Sequence, residues 1–106
     1  MIDLEKMAEQ HKQLFPNATL ESQVWKLEEE IQEYREAENE RMERKEMADV
    51  IIVCGGLARW CPFIAQYIKD MFYVDADIEK EVNRKWQINL KRKWAWNGKT
   101  YHHVEE

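Results

Sequence analysis

Two stretches of this chain decide its fold: Lys26-Leu-Glu-Glu-Glu-Ile-Gln-Glu-Tyr34 and Lys45-Glu-Met-Ala-Asp-Val50. Both have the residue pattern of helices. Because residues three apart lie on the same face of a helix, Glu30 and Glu33 form one pair of carboxylates. Glu46 and Asp49 form a second pair for the same reason. Two antiparallel helices that face each other would bring all four carboxylates to one place.

Four carboxylates in one place repel one another unless a divalent cation lies between them. A ligand set made only of hard oxygen atoms is typical of Mg²⁺ or Mn²⁺. Asp49 also directly precedes Val50-Ile-Ile-Val53, in the most apolar part of the chain, where an unpaired acid would be costly. We therefore predict a metal site formed by Glu30, Glu33, Glu46 and Asp49.

The composition points to a single helical domain. The chain has 106 residues, 44% of them hydrophobic, and only Gly 3 and Pro 2 as helix breakers, so long helices are favoured. We predict an all-α bundle of four to five helices over residues 1–106, with residues 95–106 as a C-terminal tail. Helical proteins of this size often complete their core with a second copy, so we expect a homo-oligomer.

Charge and hydropathy exclude some classes of function. The net charge is −5, which argues against broad binding to duplex nucleic acid, although residues 80–99 carry seven bases and one acid. No apolar run approaches the ~20 residues that a membrane span needs, and the N-terminus is too charged for a signal peptide. We expect a soluble, cytoplasmic protein without a membrane partner.

Periodicity and capping residues place the helices. The first covers residues 2–14, and Thr19 caps a second that runs from about residue 20 to about residue 39. Its predicted core stripe consists of Leu20, Val24, Leu27, Ile31 and Tyr34. The polar segment 39–45 is predicted to be a turn and the start of the third helix, with one continuous helix as the alternative. The third helix should be the most buried, with close helix contact at Gly55-Gly56 offsetting the low helix propensity of glycine.

The second half of the chain is predicted to hold two more helices. One begins at Pro62, and the last is capped by Asp75 or Asp77 and reaches about residue 93. Cys54 and Cys61 lie seven residues apart in a helical stretch, roughly 10 Å along the axis, so we predict free thiols rather than a disulfide. We expect His11 at the surface, and His102 and His103 in the tail.

The acidic motif has a known counterpart. Glu29-Glu30-x-x-Glu33, twelve residues and then Glu46-x-x-Asp49 resembles the signature of the MazG-like all-α nucleoside triphosphate pyrophosphohydrolases, over about residues 15–95. Small phage-type members have Phe-Pro-x-Ala-Thr-x-x-Ser-Gln before the motif, as residues 15–23 do here. After it they have a run that matches Lys85, Asn89, Arg92 and Trp94. One departure is Gln32, where many relatives have glycine.

The resemblance implies a reaction and its requirements. It implies hydrolysis of a (d)NTP between the α and β phosphates, which yields a monophosphate and pyrophosphate. It also implies Mg²⁺, with Mn²⁺ as a substitute, and a homo-dimer or tetramer. The similarity to phage-type members favours a purine dNTP such as dGTP or dATP, and the host cytoplasm if a phage encodes the protein.

Individual residues can be assigned roles in such a reaction. We predict that Glu29, about 100° from Glu30 on the helix, orients or deprotonates the attacking water, with completion of the metal shell as the alternative role. Four and then three residues separate Lys85, Asn89 and Arg92, which places them on one helix face where they can bind phosphates, with Lys26 as a further candidate. For the base we predict stacking on Trp25, Trp86 or Trp94, and reading of its edge by Gln23 or Asn89.

Two other classes of function fit parts of the sequence. A single-stranded nucleic-acid-binding module could use the basic, tryptophan-rich C-terminal segment for stacking, which leaves the carboxylate pairs without a role. A helical oligomerisation protein would use its Glu-rich helix only as a solvated face. Ferritin-like di-iron proteins pair Glu with His three residues later, and neither acidic pair here includes a histidine.

Overall fold

A computed structural model describes residues 1–72 and 74–104. Within them the chain forms five helices followed by a two-stranded antiparallel hairpin. The elements are α1 (Leu4–Leu14), α2 (Leu20–Arg35), α3 (Glu40–Leu57), α4 (Pro62–Met71), α5 (Ala76–Lys91), β1 (Trp94–Trp96) and β2 (Tyr101–His103). The predicted all-α class is confirmed for the body of the chain, and the hairpin is an addition to it.

Four of the helices begin at a side chain that caps them. The side-chain oxygens of Asp3, Thr19, Asn39 and Asp75 each accept the backbone N–H three residues later, a donor that a first turn leaves free. At Thr19 the hydroxyl of Ser22 also accepts the Thr19 N–H, which closes a capping box. The caps predicted at Thr19 and Asp75 are therefore confirmed.

Helix α3 is the centre of the fold and packs against α1, α2, α4 and α5. Its C-terminal two thirds are buried, as predicted. The close contact expected at the glycine pair is also confirmed, because a Cβ on Gly55 would lie only 2.9 Å from the Cβ of Met7 on α1. A Cβ on Gly56 would lie 2.4 Å from the side-chain oxygen of Gln23 on α2. Larger residues here would push both helices away.

The core stripe predicted for α2 is wrong at its N-terminal end. Leu20 and Val24 are 39% and 38% exposed, whereas the buried residues of this helix are Ser22 and Gln23. The Ser22 hydroxyl donates to the carbonyl oxygen of Thr19 at 2.7 Å, and the Gln23 amide donates to the Ser22 hydroxyl over a long 3.4 Å, so both buried polar side chains have a partner. Helix α2 also ends at Arg35, earlier than predicted, and Asn39 then caps α3.

The predicted C-terminal tail is instead a hairpin, over the part of residues 95–106 that the structure describes. Trp94 pairs with His103 and Trp96 with Tyr101. The turn is closed by the Asn97 side chain, which accepts the N–H groups of residues 99 and 100, and Gly98 supplies a φ of 93°. The hairpin packs on Phe15, whose ring is 5.1 Å from that of Trp94.

Helix α4 carries the largest exposed apolar side chains. Phe63 is 89% exposed, Tyr67 and Met71 are each 69% exposed, and Ala65 is the buried residue of this helix. None of the helices in the described part of the chain combines the length and the hydropathy that crossing a membrane requires. Cys54, which is buried, and Cys61, which is half-buried, are free, as predicted.

Candidate functional site

Three of the four predicted metal ligands meet between α2 and α3. Glu30 and Glu33 stand one turn apart on α2, and Glu46 faces them from α3. One carboxylate oxygen from each of the three lies within 4.8 Å of the other two. We call these three residues the acidic cluster. The i, i+3 spacing and the packing of α2 on α3 therefore produce the arrangement that the sequence predicts.

The acidic cluster is electrostatically unfavourable without a counter-ion. Burial raises the pKa of Glu30 to about 8, with further increases from a hydrogen bond with Glu33 and from the charges of Asp49, Glu33 and Glu46. Burial, Asp49 and Glu33 likewise raise the pKa of Glu46, and Lys85 lowers it. With a pKa of about 8, Glu30 consequently carries a proton for most of the time at neutral pH.

Two oxygen atoms of the cluster have no partner in the described part of the chain. These are Oε2 of Glu30 and Oε2 of Glu46, and both are buried. A buried carboxylate oxygen without a hydrogen bond costs about 1–3 kcal/mol or more. A hard divalent cation would satisfy both atoms, since its preferred ligands are carboxylate oxygens. The residues present therefore fit a Mg²⁺ or Mn²⁺ ion.

Asp49, the fourth predicted ligand, has a partner of its own. Its Oδ1 accepts a hydrogen bond of 2.8 Å from Nζ of Lys85 on α5, and the same Nζ lies 3.4 Å from the carbonyl oxygen of Lys45. Asp49 is close enough to raise the pKa of Glu30 and Glu46. Asp49 therefore lies beside the three converging oxygens, but one of its carboxylate oxygens is bound to the ammonium group of Lys85 and is not free to bind a metal ion.

A cavity of about 150 Å³ opens beside the acidic cluster. Glu30 and Asp49 line it, together with five residues that carry aromatic rings. The rings belong to His11, Phe15, Trp86, Trp94 and Tyr101. A cavity of this size accepts one flat aromatic ring. A cavity that carboxylates and aromatic rings line together suits a nucleotide, whose phosphates bind a cation and whose base packs against flat side chains.

Several predicted substrate-binding residues line this cavity. Gln23, Lys26, Asn89 and Trp94 all contribute to its wall. Trp86 does as well, and its indole N–H donates to the side-chain oxygen of Gln10 at 2.7 Å. These residues come from α2, from α5 and from β1, and the fold brings them to one cavity. Their roles stay predictions.

Other predicted residues lie outside the cavity. Lys85 is bound to Asp49, and Glu29 is exposed on α2 next to the cluster. Trp25 is half-buried under the ammonium of Lys99, which stands 4.4 Å from the centre of its ring. This cation–π contact occupies one face of the Trp25 ring.

Arg92 lies at the C-terminal end of α5, where its backbone N–H still donates to the carbonyl oxygens of Ile88 and Asn89. The helix face that it is predicted to share with Lys85 and Asn89 stays a prediction. Helix α5 ends at Lys91, and Arg92 has an extended ψ of 159° as its C-cap. The cause is the start of β1: the indole N–H of Trp94 bonds to the carbonyl oxygen of Asn89 at 2.9 Å and turns the chain out of the helix. Arg92 is exposed at this turn.

The sequence reading missed His11 and the hairpin. His11, predicted at the surface, is 6% exposed, and burial together with the charge of Arg59 lowers its pKa to about 3. Thr100 and Tyr101 reach the cavity because the hairpin folds back, and the hydroxyl of Tyr101 accepts the N–H of Asn17 at 2.9 Å. The glycine pair is the feature of the sequence that indicates the burial of His11, because the missing side chain of Gly56 leaves space for the imidazole against α3.

No family model matches this chain, and no curated protein and no solved structure is significantly similar to it. The argument for a function therefore rests on the acidic motif and on the geometry described above.

Proposed function

We propose that the chain is a metal-dependent nucleoside triphosphate pyrophosphohydrolase that converts (d)NTP to (d)NMP and pyrophosphate. One observation carries the proposal: three carboxylates converge, with two buried oxygens unpartnered among the described residues, beside a cavity lined in part by aromatic side chains. The resemblance of the acidic motif to MazG-like pyrophosphohydrolases supports the same reaction. The cation in this proposal is Mg²⁺, and Mn²⁺ substitutes for it.

The acidic residues share the work of holding the cation and positioning water. Glu30, Glu33 and Glu46 hold the cation, and Asp49 joins them when Lys85 releases it. A bound divalent cation supplies neutralisation of phosphate charge and a lower pKa for bound water. Glu29, exposed next to the cluster, orients the attacking water or takes its proton.

The remaining residues divide between phosphates and base. Lys26 lines the cavity near Glu30 and is placed to contact the phosphate closest to the base. Lys85 and Arg92 contact the distal phosphates, Lys85 after exchanging Asp49 for the substrate. Trp94 forms a wall against which the base lies, and Trp25 serves only if Lys99 moves from its ring.

The wider expectations belong to the same proposal. The exposed apolar face of α4 fits a homo-oligomer, a dimer or tetramer, because burying Phe63, Tyr67 and Met71 against a second copy removes them from water. A (d)NTP substrate places the protein in the cytoplasm, that of the host if a phage encodes it. The substrate preference we expect among nucleotides is a purine dNTP.

The single-stranded nucleic-acid alternative is not favoured by the geometry. The rings of Trp96 and Tyr101 pack on each other at 5.1 Å, and that of Tyr101 also lies 4.8 Å from the ring of Phe15, so these two rings are engaged within the fold. Stacking on bases requires free ring faces. The acidic cluster would also have no role in such a protein.

The test is a panel of the eight common (d)NTPs with Mg²⁺, in which monophosphate and pyrophosphate are both measured. We expect equal amounts of the two products, and their loss on chelation with EDTA. Reaction in ¹⁸O-water should label the monophosphate if water attacks the α phosphate. Orthophosphate as the product, or no hydrolysis of any nucleotide, would overturn the proposal.

A matched pair of variants separates the enzyme from a contaminant. Glu33→Gln removes one ligand and should lower turnover by more than the about 100-fold that loss of an outer partner of a metal ligand costs. Glu36→Gln changes an exposed acid at the C-terminal end of the same helix and should leave turnover unchanged. Substantial activity in Glu33→Gln, with helix content intact, would refute the ligand assignment.

A further inference from the structure

Three polar side chains form a chain of hydrogen bonds behind the cavity. The first link joins Arg59, just after α3, to His11 on α1, with 3.0 Å between Nη1 of Arg59 and Nδ1 of His11. A guanidinium only donates hydrogen bonds, so Nδ1 must accept. The proton of the neutral imidazole is therefore on Nε2. Arg59 is itself held, because Nη1 also donates to the carbonyl oxygen of Phe15 at 3.0 Å.

The second link joins His11 to Gln23. The side chains of His11 and Gln23 are hydrogen-bonded to each other. Both lie against Gly56, since a Cβ atom there would be 2.6 Å from Nε2 of His11 and 2.4 Å from Oε1 of Gln23. Since Nε2 of His11 is the donor, the amide must present its oxygen to it. The pKa of His11, lowered to about 3 chiefly by burial, keeps the ring neutral at physiological pH.

The orientation of the Gln23 amide follows from these two links. With its oxygen turned to His11, its NH₂ group is turned the other way, where it makes a long 3.4 Å contact with Oγ of Ser22. The Ser22 hydroxyl already donates to the carbonyl oxygen of Thr19 at 2.7 Å. Gln23 and Ser22 both line the cavity, so the amide offers donors there. A nearer acceptor in the cavity would replace the long contact.

We propose that Arg59, His11 and Gln23 fix an N–H donor at the cavity wall that selects nucleobases bearing a carbonyl oxygen over those bearing an amino group at the same position. The inference rests on the proposed function, because it assumes that a base enters the cavity. It narrows the purine preference to 6-oxopurines, guanine or hypoxanthine, over adenine. Gly56 is required, because any Cβ there would displace both His11 and Gln23.

Four purine nucleotides isolate the carbonyl group from everything else. dGTP and dITP have a 6-oxo group, and dATP and 2,6-diaminopurine dNTP have a 6-amino group, while the 2-amino group is present in one member of each pair. We expect kcat/KM to be about 10-fold or more higher for both 6-oxo nucleotides, mainly through KM, because an amino group meets a donor and leaves it unpaired. A preference that follows the 2-amino group, or none at all, would overturn the inference.

Variants distinguish Gln23 as the contacting residue from Arg59 as a positioning residue. Gln23→Glu replaces the donor by an acceptor and should abolish or reverse the 6-oxo preference. Arg59→Met removes the donor to His11 and should reduce the preference toward 1, with kcat little changed. Arg59→Lys, which still donates to Nδ1, should restore it. Equal preference in Arg59→Met and wild type would contradict the relay.

The tautomer of His11 can be measured on the wild-type protein, so this test does not depend on the folding of any variant. The ¹⁵N chemical shifts of His11 should show an unprotonated Nδ1 and a protonated Nε2 near pH 7. The opposite tautomer would overturn the inference, whatever the kinetics. If no nucleotide is hydrolysed, the proposed function fails, and calorimetric titration of the same four nucleotides still tests the selectivity. Equal binding of all four, or binding of none, would then count against it.

Discussion

Arg44 and Glu46 lie two residues apart on α3, and each faces an acidic site of a different kind. Arg44 meets Asp75, whose two carboxylate oxygens are both 2.8 Å from its Nη2. Asp75 also accepts the backbone N–H of Ile78 at the start of α5, and this bond and Arg44 lower its pKa. Glu46 instead meets Glu30 and Glu33, and the pKa of Glu30 rises to about 8.

The comparison shows what separates a structural acid from a candidate ligand. Both sites hold carboxylates at helix contacts, so the presence of acids distinguishes nothing. At Asp75 every strong acceptor has a donor from the chain itself. At the acidic cluster Oε2 of Glu30 and Oε2 of Glu46 have none among the described residues. A partner from outside the chain is required at the second site only.

The largest expected effect is the response to metal. Mn²⁺ at a hundredfold excess over its Kd should stabilise the wild type by about 2.7 kcal/mol, since only the folded state brings the cluster together. For a domain of this size that is a rise in Tm of about 10 °C. Glu46→Gln should lose the rise, which differential scanning fluorimetry would measure. Asp75→Asn, with its intact cluster, should keep it, and a wild type indifferent to Mn²⁺ would remove the distinction between the two sites.

Without metal, equivalent changes at the two sites should have opposite signs. Glu30→Gln should stabilise the metal-free protein by about 1 kcal/mol or more, because an amide can donate to the neighbouring carboxylates and relieves their repulsion. Asp75→Ala should destabilise it, since both a helix cap and the partner of Arg44 are lost. Urea denaturation in EDTA would measure both. Destabilisation by both changes would mean that the cluster is satisfied within the chain.

The sequence predicted the acidic cluster because the information is local. The i, i+3 spacing fixes Glu30 and Glu33 on one face of α2. The same spacing puts Glu46 and Asp49 on one face of α3, the helix that packs against α2. Asp49 was placed on the same face as Glu46, correctly, but its partner Lys85 comes from α5. Periodicity in one helix carries no information about which distant cation reaches it.

The errors have the same origin. Periodicity put Leu20 and Val24 of α2 in the core, but the side that is buried depends on where α1 and the hairpin lie. Ser22 and Gln23 are buried there because capping and the space above Gly56 supply their partners. The burial of His11 could likewise not be predicted from local sequence, because its hydrogen-bond partner Arg59 lies 48 residues away in the chain. Contacts between distant segments decide all three positions.

Stability of the metal-free protein should depend on pH in the direction set by the cluster. The folded-state pKa of Glu30, about 8, lies above its usual 4.5, so its contribution is complete below about pH 4.5 and is lost as pH rises through 8. Because the pKa of His11 is lowered from 6.5, this residue changes the stability only below about pH 6.5. The effect of Glu30 can therefore be observed separately from about pH 7 upward. In EDTA the Tm should fall between about pH 7 and pH 9.

The control for this pH dependence is Glu30→Gln. It has no carboxyl group at residue 30 to titrate and should flatten the fall in Tm over the same range. Asp75→Asn should leave the fall in Tm unchanged, because the pKa of Asp75 is lowered and this carboxyl group therefore stays ionised over the whole range. A Tm that rises toward pH 9 in the wild type would show that the carboxylates at the cluster are already neutralised by the protein.

The smallest expected effect concerns the cation that the chain does supply. Lys85→Met keeps the apolar stem and removes the ammonium that lies 2.8 Å from Asp49, at a site where the two side chains are 15% and 29% exposed. The metal-free protein should lose about 1 kcal/mol, the upper range for partly exposed ion pairs. Its affinity for Mn²⁺ alone should rise, because the lysine no longer competes for Asp49, and isothermal titration calorimetry would measure both Kd values. Weaker Mn²⁺ binding in Lys85→Met would mean that the lysine organises the cluster rather than occupying it. The two acidic sites would then differ less than their geometry indicates, since each would depend on a basic residue of the chain.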